Sequence, residues 1–125
     1  MTPLLFLGLS LAGGLGSAVR FLLDGAIRSR TRTLMPIGTV AINCSGSLLL
    51  GLLTGLVSAL VLPETVGLLV GVGFLGGYTT FSTASFEVVR LLQERKFLAG
   101  GLTGFGVVMV TTALAGVGLW LGSSW

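Results

Sequence analysis

Four long apolar runs constrain what this chain can fold into more than any other feature of its sequence. They lie at about 3–23, 36–62, 65–92 and 97–121, and each is close to or above the roughly 20 residues that an α-helix needs to cross a bilayer. Only 9% of the residues are charged, whereas an ordinary soluble domain is about 25% charged. The sequence therefore predicts an all-α membrane protein in which residues 1–125 form one domain of four transmembrane helices.

Neither a β-barrel nor a cleavable leader suits these runs. The runs lack the alternation of polar and apolar residues that barrel strands show, and they are too long for such strands. The opening stretch "MTPLLFLGLS" has no basic region, so we expect no signal peptide and interpret the first run as a true span. The connections between the runs are short: "DGAIRSRTRT", Pro63-Glu64 and "QERK".

The basic residues fall on one side of the predicted bundle. All seven flank or fill the first and third connections: Arg20, Arg28, Arg30, Arg32, Arg90, Arg95 and Lys96. The N-terminal tail, the second connection and the C-terminal tail contain none. Because Lys and Arg are enriched in cytoplasmic loops, we expect the first and third connections in the cytoplasm and both termini outside. The protein is then a multi-pass protein of the plasma membrane.

The composition gives little support to several other classes of function. The chain has no His and a single Cys, Cys44, so a zinc or other soft-metal site is not expected. It offers no catalytic dyad and no phosphate-binding loop, and we predict that it is not an enzyme. Its net charge of +3 does not form a basic stripe with interleaved aromatic residues, so no nucleic-acid partner is expected.

Polar side chains nevertheless occur inside the apolar runs, where each needs a partner or a pathway. Asn43 and Ser47 share a helical face in the second run. The third run holds a cluster of hydroxyls and the fourth a pair: Thr79, Thr80, Ser82, Thr83, Ser85, Thr111 and Thr112. A lone Ser or Thr commonly bonds back to its own helix, but the Asn43 amide has too many donors and acceptors for that. Together these residues predict a hydrogen-bonding track between helices.

The acidic residues bear on a rival interpretation, a small proton-coupled multidrug-type exporter. Such an exporter needs an acid embedded in the membrane. All four acidic residues lie near connections or near the ends of runs: Asp24, Glu64, Glu87 and Glu94. This distribution argues against the exporter, whereas neutral donors together with Arg20 suit an anion.

Glycine occurs 21 times, often at a spacing of four residues. Examples are Gly51/Gly55, Gly73/Gly77 and Gly118/Gly122. Such spacing lets helix backbones approach closely in lipid. Two uses remain open at this point, namely packing within one subunit and an interface between subunits.

The segment "GFLGGYTTFSTASFE", residues 73–87, closely resembles the third-span signature of the Fluc/CrcB family of fluoride-specific channels. Other matches agree in order and position: "GGLGSAVRF" in the first run, "GTVAINCSGS" in the second and Thr111-Thr112 in the fourth. The resemblance covers the whole chain, including its length and its four spans.

This resemblance implies an antiparallel dimer with two fluoride pores and a structural sodium ion at its centre. The third helix would be broken near its middle, and the backbone carbonyls of Gly76 and Thr79 would hold the sodium. The pair Gly76-Gly77 weakens a helix, and non-helical backbone at membrane depth is tolerated only where protein buries it. The implied function is passive export of fluoride from the cytoplasm, which lowers its toxicity.

The resemblance also implies which residues form the fluoride pathway. In the family an Asn, several hydroxyls and two Phe rings line it, and the electropositive edge of an aromatic ring can face an anion. The matching residues in this chain, with Arg20 as the charged group, are Asn43, Phe81, Ser82, Thr83 and Thr111 or Thr112.

One position departs from the family pattern. The second Phe is expected three residues after Phe81, where this chain has Ala84. Phe86 does not replace it, because at about 100° per residue it lies roughly 140° from Phe81 around a helix. Either the pore tolerates a single ring, or a partner supplies the other, or the chain is a non-conducting partner subunit. Because the basic residues lie on one side, the dimer partner is either a second copy or an oppositely oriented paralogue.

Overall fold

The computed structural model describes residues 2–31 and 36–125 and contains four long helical spans. They cover Pro3–Arg30, Ile37–Ser58, Glu64–Gln93 and Phe97–Ser123, and each is long and apolar enough to cross a membrane. The prediction of an all-helical protein with four membrane-spanning helices is therefore confirmed. Arg32, one of the predicted cytoplasmic arginines, lies outside the described residues.

The first span is longer than its hydropathy predicted. The sequence placed its end near residue 23, but the helix continues to Arg30. It begins at a capped terminus, where the Leu5 N–H donates to Thr2 Oγ1 at 3.1 Å and Pro3 occupies the first turn. At the other end, Asp24 and Arg28 form an ion pair one helical turn apart, which supports the additional turns. Part of the predicted polar loop is thus helical.

The second and fourth spans pack backbone against backbone. A Cβ added at Gly51 or Gly55 would collide with the main chain of the fourth span. A Cβ added at Gly118 or Gly122 would collide with the main chain of the second span. For these glycines the structure selects packing within one subunit, the first of the two uses that the sequence left open.

The third span packs in the same way against the first. The absent side chain of Gly16 leaves room for the backbone of Phe74 and Tyr78, and that of Gly77 leaves room for the backbone of Gly13. Gly76 differs from these positions, since it is exposed and, apart from its own helix, no described part of the chain lies within 4 Å of where its Cβ would be.

The third span is not a uniform α-helix. Its first part, Gly67–Leu75, has the wider π-helical hydrogen bonding, and Gly76–Tyr78 is α-helical. Thr79 and Thr80 then have extended backbone, with ψ of 157° and 121°, and a new helix covers Phe81–Gln93. Gly76 and Gly77, which were expected to weaken the helix, are themselves helical, so the non-helical residues are the two threonines.

Thr80 is the N-cap of the helix that follows the interruption. The Thr83 N–H donates to Thr80 Oγ1 at 3.2 Å, which satisfies one of the backbone donors that a helix start leaves without an internal partner. The sequence "TFST" therefore begins a helix inside an apolar run, and its N-terminal end faces the extended pair.

Tight turns join the second span to the third and the third to the fourth. Leu60 and Arg95 each occupy the left-handed region of backbone space, with φ of 61° and 59°. In both turns the next residue donates its N–H back to the helix, from Val61 to the Leu56 carbonyl and from Lys96 to the Leu91 carbonyl, each at 2.9 Å. The ends of the first and third spans lie at the same end of the bundle, because Arg28 of the first pairs with Glu87 of the third.

Candidate functional site

Asn43 is paired with both polar backbone groups of Thr80. Its Nδ2 donates to the Thr80 carbonyl at 3.0 Å, and the Thr80 N–H donates to its Oδ1 at 2.9 Å. Because the backbone of Thr80 is extended, its N–H and carbonyl have no partners within the helix, and the Asn43 side chain supplies them. Leaving either group unpaired would be costly in an apolar medium. The amide has a second N–H, which neither of these bonds uses.

Groups from the first and second spans hold the helix end that precedes the interruption. Ser17 Oγ donates to the Gly77 carbonyl at 3.3 Å, and Ser45 Oγ and the Tyr78 hydroxyl lie 2.9 Å apart in a hydrogen bond. A Cβ at Gly46 would collide with the Thr79 methyl group. The interruption is therefore fixed by close packing and by hydrogen bonds from two neighbouring helices.

A groove of about 490 Å³ opens beside the interruption, between the second, third and fourth spans. We call it the Phe81 groove. Its lining includes Phe81, Ala84 and the polar residues Asn43, Ser47, Thr79, Thr80, Ser85, Thr103 and Thr111. It brings together three residues predicted for the fluoride pathway, Asn43, Phe81 and Thr111. The Phe81 side chain is 84% exposed, and Ala84 lies in the groove where the family pattern has a second ring.

A smaller cavity of about 180 Å³ lies on the other side of the interruption, between the first, second and third spans. We call it the Arg20 cavity. Its lining residues are Arg20, Phe21, Asp24, Thr39, Ile42, Thr80 and Thr83. Two further predicted pathway residues, Arg20 and Thr83, therefore lie here rather than in the Phe81 groove. Thr80 lines both spaces, so the extended pair separates them.

Two predicted pathway residues belong to neither lining. Ser82 and Thr112 are exposed and are absent from both sets of lining residues. The fourth-span hydroxyls bond back to their own helix, with Thr111 Oγ1 donating to the Val107 carbonyl and Thr112 Oγ1 to the Val108 carbonyl, each at 2.7 Å. That is the local arrangement expected of a lone threonine in a helix.

Sequence reasoning left Glu87 out of the site. It was grouped with acids near the ends of runs, but the structure buries it among three spans at 3% exposure. Its Oε1 accepts from Arg28 Nη2 at 2.5 Å and from Thr39 Oγ1 at 3.1 Å. Arg28 also donates from Nε to Asp24 Oδ2 at 2.9 Å. A usable signal was the spacing of Arg20, Asp24 and Arg28, which places all three on one helical face.

The predicted sodium residues lie at the end of the helix before the interruption. Gly76 is exposed and Thr79 is half-buried, and Thr79 has the extended backbone that ends the helix. Within 2–31 and 36–125, no group of three or more His, Cys, Asp or Glu side chains is placed to hold a metal. Backbone carbonyls are oxygen donors of the kind that hard cations prefer.

Comparison with known proteins gives a consistent picture over nearly the whole chain. The family described as "CrcB-like protein, Camphor Resistance (CrcB)" matches residues 7–123. A protein of Leifsonia xyli named "Fluoride-specific ion channel FluC 1" is 52% identical over 98% of this chain and 89% of its own length. Proteins named "Fluoride-specific ion channel FluC 2" are 45% identical in Cutibacterium acnes, over 90% of this chain and 93% of theirs. The corresponding values in Mycobacterium bovis are 38%, 97% and 93%.

Proposed function

Because this chain belongs to the CrcB-like protein family, we propose that it is a subunit of a fluoride-specific ion channel in the cell membrane. Relatives named as fluoride-specific ion channels support this function. The family is a class of ion channels and not of enzymes. The observation that carries the proposal is the pairing of Asn43 with Thr80 at an interruption in an apolar span. An amide donor there lies beside non-helical backbone, and Thr80 of that backbone lines both the Arg20 cavity and the Phe81 groove.

These groups suit fluoride, which is small and strongly hydrated. An anion that leaves water needs hydrogen-bond donors in place of its hydration shell. The second N–H of Asn43 and the hydroxyls of Thr80 and Thr83 are donors of this kind. The helix Phe81–Gln93 also directs its N-terminal end at the interruption, and the partial positive charge there favours an anion.

The proposed route runs from the Arg20 cavity past the interruption into the Phe81 groove. Arg20 attracts fluoride into the cavity, and the hydroxyls of Thr83 and Thr80 then hydrogen-bond the ion on its way to Asn43. Phe81 then presents its ring in the groove, where the electropositive ring edge can face the ion. Ser82, Thr111 and Thr112 remain part of the proposed pathway as hydroxyls of the third and fourth spans, and a partner chain would close the groove around them.

The proposed transport is passive and leads out of the cytoplasm. Hydrogen fluoride crosses a membrane uncharged in acidic surroundings and dissociates inside the cell, so fluoride accumulates there. A conductive route is then sufficient to release it and lower its toxicity. Passive flux needs no particular orientation of the chain, and the basic residues favour the one with the first and third connections in the cytoplasm.

The proposal includes an antiparallel dimer with a structural sodium ion at its centre. Gly76 supports it, because its exposed face leaves space for a second chain. The carbonyls of Gly76 and Thr79 are oxygen donors suited to sodium, and two chains would together supply four of them. The sodium would neutralise carbonyl dipoles at the subunit contact, and the fluoride route does not pass through it.

The buried Glu87 is the one observation that favours the rival proton-coupled exporter, since such a protein needs an embedded acid. Its pairing with Arg28 and Thr39 weakens that alternative, because the carboxylate oxygen that accepts from both is already engaged within the bundle. Ala84, which replaces the expected second Phe, favours the third candidate, a non-conducting partner subunit. Both rivals predict no fluoride conductance by this chain alone.

Fluoride efflux from liposomes tests the function and separates it from both rivals. Vesicles that contain the purified chain and fluoride would be diluted into fluoride-free buffer, with a potassium ionophore to balance charge and no proton gradient. We expect release that a fluoride electrode detects at once, and no comparable release of chloride. Release only when a proton gradient is imposed would support the exporter, and no release would contradict the channel proposal for the chain alone.

A further inference from the structure

A polar column connects the Arg20 cavity to the end of the bundle where the first and third connections lie. The first span contributes Arg20, Asp24 and Arg28, which share one face because they are four residues apart. The second span contributes Thr39, and the third contributes Thr83 and Glu87, also four residues apart. These six residues are called the inner column below.

The inner column is held together by contacts between three spans. Arg28 bridges Asp24 on its own helix and Glu87 on the third span, and Thr39 donates to the same Glu87 oxygen. Asp24 and Thr39 also line the Arg20 cavity. The ion pair between half-exposed Arg28 and buried Glu87 is therefore one contact away from the space that fluoride would enter.

Glu87 is unusual for a group beside an anion route. Its side chain is 4% exposed, and its Oε2 is buried without a hydrogen-bond partner among the described residues. A buried carboxylate with a bare oxygen repels a neighbouring anion strongly, because little water screens it. An opposite charge at close range offsets that repulsion, and Arg28 supplies it.

The charges of the inner column balance. Two arginines, Arg20 and Arg28, face two carboxylates, Asp24 and Glu87, so the column has no net formal charge. On the premise of the proposed fluoride channel, we propose that Arg28 and Glu87 set the electrostatic balance of the inner approach to the fluoride route. Arg28 cancels the Glu87 carboxylate, which leaves Arg20 free to attract the anion.

An electrostatic role of the Arg28–Glu87 pair predicts different effects when either partner is removed, whereas a purely structural role predicts equal effects. Arg28→Gln leaves the column with a net negative charge, whereas Glu87→Gln leaves it with a net positive charge. A unit charge about 10 Å away at an effective dielectric constant of about 20 changes the local concentration of an anion roughly tenfold. Fluoride entry should therefore fall in the first variant and not in the second, although both lose the same ion pair.

The experiment measures initial fluoride efflux from liposomes at low internal fluoride, where entry limits the rate. We expect Arg28→Gln to reduce the efflux about tenfold and Glu87→Gln to equal or exceed the wild type. The double variant, which restores zero net charge, should return to within about twofold of the wild type by the same electrostatic argument. Arg28→Lys keeps the positive charge and should retain most of the flux.

Matched controls come from exposed charges elsewhere in the chain. Arg30→Gln removes one basic residue from the same helix end, and Glu94→Gln breaks the exposed Glu94–Lys96 pair; neither should change the flux. Each variant is first shown to be folded by its elution from a size-exclusion column. Equal losses in Arg28→Gln and Glu87→Gln, a double variant as poor as Arg28→Gln, or unchanged flux in all variants would overturn the inference while wild-type conduction persists. A wild type that releases no fluoride would contradict conduction by this chain alone, on which the inference rests, and would overturn the inference with it.

Discussion

At the scale of single residues, the Asn43 amide can combine a structural task, which the structure shows, with contact to the ion, which we propose. One N–H and the carbonyl oxygen complete the backbone of Thr80, and the other N–H remains as a donor. The residue that stabilises the interruption is therefore also the one whose second N–H can donate to an ion there. Sequence reasoning predicted the second task from the resemblance and did not foresee the first, because the two residues are 37 positions apart.

Asn43→Asp should abolish fluoride flux. An aspartate cannot donate to the Thr80 carbonyl, and its negative charge would repel fluoride from the route. The measurement is fluoride efflux from liposomes, with elution from a size-exclusion column as evidence of folding. Thr54→Ala is the control, since Thr54 lies on the same helix, bonds back to the Leu50 carbonyl and lines neither the Phe81 groove nor the Arg20 cavity. Wild-type efflux from folded Asn43→Asp protein would remove Asn43 from the pore.

Phe81→Ile should reduce fluoride flux far more than Phe86→Ile. Both rings are exposed in the single chain, at 84% and 67%, so exposure alone does not separate them. Their position does, because Phe81 lines the groove beside Asn43 and Phe86 is not among its lining residues. Loss of the ring removes the electropositive edge. Similar flux in the two variants at equal protein content would show that Phe81 does not face the ion.

At the scale of helices, close backbone contact holds the second and fourth spans together. Gly118→Ala should destabilise the protein, because the new methyl group would meet the Leu48 carbonyl and the Leu52 N–H. Overpacking of this kind costs about 1–3 kcal/mol. Gly116→Ala, two residues earlier on the same helix, has open space around its Cβ position and should be neutral. Thermal aggregation midpoints in detergent would compare the two, and equal midpoints would contradict the packing.

The four spans could be predicted because hydropathy and length are properties of one segment at a time. The end of the first span could not, since Asp24 and Arg28 lower its hydropathy while their ion pair prolongs the helix. The burial of Glu87 was missed for a similar reason, because its partner Arg28 is 59 residues away. Pairing between distant segments decides such features, and one sequence does not display it.

The interruption of the third span shows the same limit at a finer level. Glycine content pointed to Gly76-Gly77, because glycine has low helix propensity. The structure has its extended backbone at Thr79 and Thr80 instead, where Asn43 supplies substitute hydrogen bonds and Thr80 caps the next helix. The residue at which this helix stops thus depends more on which side chains hydrogen-bond its backbone N–H and carbonyl groups than on local helix propensity.

At the scale of the whole molecule, the open Phe81 groove and the exposed Gly76 are the features that the partner chain we propose would cover. In the antiparallel arrangement that we propose, the two chains have opposite orientations in the membrane. A homodimer would then require one sequence to insert both ways. The basic residues oppose this, since all seven flank or fill the first and third connections in the sequence and such a bias favours a single orientation. An oppositely oriented paralogue meets the requirement more simply and could also supply an aromatic ring beside Ala84.

Labelling of engineered cysteines distinguishes the two kinds of partner. In a Cys44→Ser background, Ser29→Cys and Glu94→Cys place thiols near the first and third connections, at residues that are exposed. With the chain expressed alone, we expect a membrane-impermeant reagent to label both positions from the cytoplasmic side only, because the basic residues fix one orientation. Ser124→Cys, at the opposite end of the bundle, should label only from outside. Comparable labelling of Glu94→Cys from both sides would establish dual insertion, and a paralogue would then not be required for assembly.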